Sequence, residues 1–168
     1  MSEQLATTTE GALVNYSGGA TLMEMRADDV RFPRIKDIPA EQAIGGMARI
    51  VSQAFLYRGQ TADPTTVKFI ATALVTELQD GRWHSARGLS LAEIQVIVKR
   101  AVLGDAEMFG ISVSSLFKVI LDYVKSGEFQ DLQRRVYDQR EKAEQERRHI
   151  QKLQEFKQSL LAQKASTI

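Results

Sequence analysis

The residues with chemistry to offer are few and far apart. Among 168 residues there are two histidines, His84 and His149, and no cysteine. Thiol nucleophiles, disulfides and cysteine-ligated zinc are thereby excluded, and a cysteine-free chain suits a reducing interior. No Gly-rich loop precedes a Lys-Ser/Thr pair, and no nucleophile elbow occurs. The acids are scattered singly apart from Asp28-Asp29, so the sequence spells out neither a carboxylate pair for acid–base work nor a metal-ligand set. The expectation is a non-enzymatic protein with no catalytic, cofactor-binding or metal-binding residues, one that acts by binding.

Two stretches have the residue types of a nucleic-acid interface. In Asp80-Gly81-Arg82-Trp83-His84-Ser85-Ala86-Arg87-Gly88, the cations Arg82 and Arg87 and the imidazole of His84 surround an aromatic face that can stack a base while they hold phosphate. The competing reading is structural: Trp83 is the chain's only tryptophan, and its large apolar area suits it to cover the open end of a small core. Further on, Ala106, Gly110, Ile111, Leu116 and Val119 fall where a helix-turn-helix places its small residue, turn glycine and buried apolar residues. The would-be recognition helix then offers Ser112, Ser114, Ser115 and Lys118. Against that stand Asp105 at an apolar position, Gly104 truncating the first helix of the pair, and a single positive charge where base and phosphate contacts usually need several. The alternative is an ordinary corner between two packed helices. The formal charge of +1 adds no basic footprint: it divides into about −2 over residues 1–38, +1 over 39–126 and +2 over 127–168.

These stretches must be positioned by helices. The hydrophobic content of 43% is concentrated between Pro39 and Val124, enough for a small independent core. Pro39 suits the first position of a helix whose Ile44, Met47, Ile50, Val51, Ala54 and Phe55 form one apolar stripe. Asp63-Pro64 opens a second, with Val67, Ile70, Ala71, Leu74, Val75 and Leu78 inward. Ser90 and Glu93 form a capping box, with Leu89 and Ile94 as the hydrophobic staple, and announce a third that Gly104 should end. Ser112 caps a fourth, carrying Leu116, Val119, Ile120, Tyr123 and Val124, and Gly127 is expected to interrupt it.

Either side of this core the pattern changes. Residues 1–38 read as a flexible or extended N-terminal tail; Arg26 to Lys36, with cations around Val30, Phe32 and Ile35, is placed either to wrap the core or to meet a partner. Residues 127–168 read as one long charged helix, with Asp131/Arg135, Asp138/Lys142 and Glu144/Arg148 paired four apart. Its best heptad seam is Phe129, Leu132, Val136, Gln139, Ala143, Glu146, Ile150, Leu153, Lys157 and Leu160. Three polar positions in that seam make a helix that docks on something else a better fit than an autonomous parallel coiled coil. The partner-facing residues are Ile150, Leu153, Phe156 and Leu160.

Taken together, Leu91-Ala92-Glu93-Ile94, Phe109-Gly110-Ile111-Ser112 and Leu121-Asp122-Tyr123 resemble a pattern of small helical proteins from phages and mobile elements of Bacteroidetes-type bacteria. The resemblance covers residues 89–124 and implies a replication-associated role without implying site residues. The expected fold is all-α: a small four-helix core (39–126), a disordered N-terminal tail (1–38) and a long charged C-terminal helix (127–168). The expected function is that of an accessory or adaptor protein in phage or mobile-element DNA metabolism, binding DNA or a replication protein. The alternative is a protein-interaction or structural module that uses its C-terminal helix for self-association as a homo-oligomer or for partner docking, with no nucleic acid. No apolar run is long enough for a membrane span and no secretory signal is visible, so a cytoplasmic location without membrane partners is expected.

Overall fold

The computed structural model describes residues 15–16, 18–80, 84–105, 108 and 110–165, the side chains of 84–85, 105 and 164–165 excepted. Among the described residues there are helices and no strands. Two compact units are distinguished, one reaching Gln130 and the other beginning at Asp131.

The first unit contains the four expected helices. Helix α1 (Leu22–Ala27) precedes them, followed by a 3-10 turn at Ile35–Asp37. Helix α2 spans Ala40–Tyr57, with Pro39 as its N-cap one residue ahead of the expected first helical position. Helix α3 (Pro64–Asp80) starts where Asp63 Oδ2 accepts from the Thr66 N–H at 2.9 Å. A short α4 (His84–Arg87) leads into α5 (Leu91–Arg100), whose Ser90/Glu93 capping box is fully formed. Leu89 and Ile94, the staple pair, are both fully buried. The α-helical pattern then widens into a π turn at Ala101–Asp105 and stops at Gly104, whose φ of 118° an L side chain rarely adopts.

Helix α6 (Val113–Lys125) is capped by Ser112 and buries Leu116, Ile120 and Tyr123. The break that follows falls at Ser126, not at Gly127. Ser126 is extended (ψ 154°), and its hydroxyl accepts from the Phe129 N–H at 3.2 Å, so it caps the final helix, α7 (Gly127–Ala165), of which Gly127 is the first residue. The pairs α2–α3, α2–α5, α5–α6 and α3–α6 pack together, and Met47, Ile50, Leu74, Leu78, Ile94, Leu116 and Ile120 are buried among them as the core. Each such side chain contributes roughly 1.5–3 kcal/mol by leaving water.

The larger correction concerns the segment ahead of Pro39. The folded unit begins well before the expected 38/39 boundary. Thr21 and Glu24 form a reciprocal capping box on α1, and the Thr21 hydrogen bonds hold the Glu24 carboxyl below its usual range. Leu22, Met25, Phe32 and Ile35 are buried. The segment crosses the entry to α5: the Ile35 N–H donates to the Leu89 carbonyl at 2.8 Å, and Arg34 forms an isolated antiparallel bridge with Ser90. Gln79 Nε2 secures the other side by donating to the carbonyls of Ile35 and Ile38. Residues 18–38 are thus a strap closing the core, and of the two readings of Arg26 to Lys36 the one realised is wrapping. The second unit is the remainder of α7, described below.

Candidate interaction surface

The candidate residues on α6 are held by its own start. Ser115 donates to the Gly110 carbonyl at 2.7 Å and shares the N-terminal capping box with Ser112, so its hydroxyl is committed to backbone. Ser114 is exposed one position earlier. Lys118 Nζ lies 2.7 Å from Asp122 Oδ2 in an exposed i,i+4 pair. Arg87 is partly buried, with its Nε shielded from solvent and without a hydrogen-bond acceptor among the described residues. Helix α4, which carries His84 and Arg87, packs against α6, so the structure brings these two candidate stretches to neighbouring positions. Arg82 and Trp83, and the side chain of His84, lie outside the described residues. Among the described residues no three acids or histidines converge as a metal-ligand set.

Sequence reasoning missed a buried cluster of charges in the body. Glu93 is 1% exposed and receives two arginines of the strap: Arg34 Nη1 at 3.0 Å from Oε2, and Arg26 Nε at 2.8 Å from Oε1. The Arg26 contact is close enough for an ion pair but is not aligned as a hydrogen bond, which leaves Oε1 and Nε without one among the described residues. Glu93 Oε2 also accepts from the Ser90 N–H at 2.8 Å, so one carboxylate caps α5 and anchors the strap at once. Arg34 reaches Asp29 and the Met25 carbonyl as well, and Arg26 donates to the Gly88 carbonyl at 2.9 Å. Arg26 also lies over the Phe129 ring, 4.6 Å from its centroid, and Tyr123 meets that ring edge-on at 5.3 Å. Burial pushes the Arg26 guanidinium below its ordinary value, with Glu93 opposing. Burial, reinforced by Glu93 and Glu128, pushes the Tyr123 hydroxyl up to about 12. The paired charges and shared backbone bonds make this cluster a clamp on the fold. The signal in the sequence was a lone glutamate on an apolar helix face facing an arginine-rich segment.

Beside single exposed apolar residues on the body such as Val30 and Phe69, α7 carries an uncovered apolar row. From Tyr137 to Gln163 every residue is exposed. Ile150, Leu153, Phe156 and Leu160 are 48%, 48%, 61% and 42% exposed, and at 100° per residue they share one face. Leu161, more exposed still, borders the same face and was not anticipated because the heptad seam ends at Leu160. The opposite face is polar, with Gln151 bonded to Glu155 at 2.9 Å and Arg148 paired with Glu144. No helix among the described residues is long and apolar enough to cross a membrane. No protein-family model, curated protein or solved structure matches the chain.

Proposed function

We propose that the protein is a non-enzymatic adaptor: a folded helical body carrying a long helix whose distal apolar face takes up another helix. The observation that supports this reading is the row Ile150, Leu153, Phe156 and Leu160, held in water on one side of α7. A solvated helix needs only good helix formers and i,i+4 pairs such as Glu144–Arg148 to persist. Large apolar residues in register on one face add only ~0.2–0.5 kcal/mol per neighbouring pair until something covers them. Each then gains roughly 1.5–3 kcal/mol on burial. A helix laid along such a face is the usual mode of recognition.

The same reading accounts for the α6 corner. With Lys118 paired to Asp122 and Ser115 bonded to Gly110, α6 offers little to phosphate or base edges. The role in DNA metabolism implied by the resemblance over residues 89–124 would then run through whatever α7 holds.

The test is site-specific photo-cross-linking in the native host. A photoreactive residue at Phe156 is expected to give discrete protein adducts, whereas one at Gln151, on the far side of the helix, is not. Equal labelling from both positions, or none from either, would overturn the reading.

A further inference from the structure

We infer that the occupant of this face is a second copy of the same helix, running antiparallel, with Glu146 of each copy opposite the partner's Lys157. The inference rests on the adaptor reading and names its partner.

Two charged residues, Glu146 and Lys157, interrupt the apolar seam. The distal seam runs Ala143, Glu146, Ile150, Leu153, Lys157 and Leu160, all exposed on α7. In a parallel pairing each position meets its own copy, so Glu146 would face the partner's Glu146 and Lys157 the partner's Lys157. The flanks repeat the conflict, with Lys142 beside the partner's Arg147. Like charges brought together in this way are strongly unfavourable, and parallel self-association is disfavoured in every layer that carries charge.

Reversing one helix removes every one of these conflicts. With Ile150 opposite the partner's Leu153, the next layer outward on each side sets Glu146 against the partner's Lys157. The layer beyond sets the small Ala143 against the partner's Leu160. The seam is complementary to its own reversal: small against large, acid against base, aliphatic against aliphatic. On the flanks no like charges meet: Arg147 stands beside the partner's Gln154, Lys142 beside the partner's Gln163, His149 beside the partner's Phe156 and Arg140 beside the partner's Leu161.

The register is also singled out. Sliding the helices by one heptad in one direction puts Glu146 opposite the partner's Ile150, and in the other puts Lys157 opposite the partner's Leu153. Either slip leaves a charge against an aliphatic side chain, at a desolvation cost without compensation. The two polar interruptions that weaken the seam as a parallel coiled coil therefore fix orientation and register in an antiparallel one. Polar residues at core positions commonly have that effect. Phe156 and Leu161 border the seam.

The test uses the purified full chain in sedimentation equilibrium up to several hundred micromolar. A monomer–dimer equilibrium is expected for the wild type. Glu146→Lys and Lys157→Glu are each expected to weaken it about tenfold or more, since each places like charges in two layers. The double exchange Glu146→Lys/Lys157→Glu restores both contacts in the antiparallel arrangement and is expected to recover dimerisation. All these positions are exposed on α7, so the body's unfolding transition serves as the folding control.

Orientation is read separately, because the chain has no cysteine of its own. Ala143→Cys mixed with Leu160→Cys is expected to cross-link through a short thiol reagent. Ala143→Cys alone is not, its two copies standing about 25 Å apart along the helices. A wild type monomeric throughout, no rescue by the double exchange, or efficient cross-linking of Ala143→Cys alone would each overturn the inference. A monomeric chain that still gives face-specific adducts at Phe156 with another protein would overturn self-pairing and leave the adaptor reading standing.

Discussion

Two glutamates in this chain receive arginine and mean different things. Glu93, in the body, is buried and held by Arg26 and Arg34 together with the Ser90 N–H, every partner contributed by a different turn or segment. Glu144, in the distal helix, is exposed and is met by Arg148 one turn along. The first arrangement ties together stretches remote in sequence, so each of its charges has a fixed position. The second is local, and many sequences would serve. The same contrast holds for phenylalanine: Phe129 is buried beneath Arg26 and against Tyr123, whereas Phe156 is exposed. Chemical type does not assign a role here; the number and remoteness of partners does.

The sharpest way to break the comparison is Glu93→Ala. Two buried guanidinium groups lose their counter-charge, and a loss of ~3–5 kcal/mol in unfolding free energy is expected from urea denaturation. A loss below ~1 kcal/mol would show the clamp to be dispensable. Phe129→Ala comes next, at ~3–5 kcal/mol for a buried aromatic, while Phe156→Ala is expected to stay within ~0.5 kcal/mol in the same measurement at low protein concentration. Equal effects from the two would erase the distinction between body and distal helix.

Tyr123→Phe tests the clamp's neighbour. The Tyr123 hydroxyl is buried without a hydrogen-bond partner among the described residues, so its removal is expected to stabilise the body, by up to ~1 kcal/mol. Below pH 10 the group is protonated whether the chain is folded or unfolded, and its shift has no effect on pH dependence. Between 10 and about 12 the unfolded chain releases the proton more readily, so wild-type stability falls as pH rises through that window. The phenylalanine variant is expected to fall less over the same range. The smallest effect belongs to Glu144→Ala, within ~0.5 kcal/mol by thermal melting, since an exposed i,i+4 pair contributes no more than that.

Much of the body was legible because helix starts are written locally. Asp63-Pro64, Ser90 with Glu93, and Ser112 each place a capping oxygen within three residues of the N–H it accepts from, and all three begin helices where expected. The break after α6 was misplaced by one residue because glycine was weighed for its flexibility, whereas the decisive group was the Ser126 hydroxyl. Residues 18–38 were opaque for a different reason. Thr21-Leu22-Met23-Glu24 carries a capping box as plain as any other, but a six-residue helix has little to hold it without tertiary contacts, and those contacts come from Gly88 to Glu93. Arg26 and Arg34 read as surface cations until their distant carboxylate is known. The exposed row on α7 was legible because its face has no partner within its own helix, and only Leu161 escaped notice.

The strap also sets an order of events. Arg34 and Glu93 are 59 residues apart in the chain, and Arg26 and Gly88 are 62 apart. During synthesis the two arginines leave the ribosome long before the groups that will receive them, and α1 has no clamp to bind until α5 has emerged. Helices α2 and α3 are complete and able to pair in the interval, so the body is expected to assemble from its middle outward, the strap closing last. The distal helix needs no such wait, since its stabilising pairs are one turn apart and form as they are made.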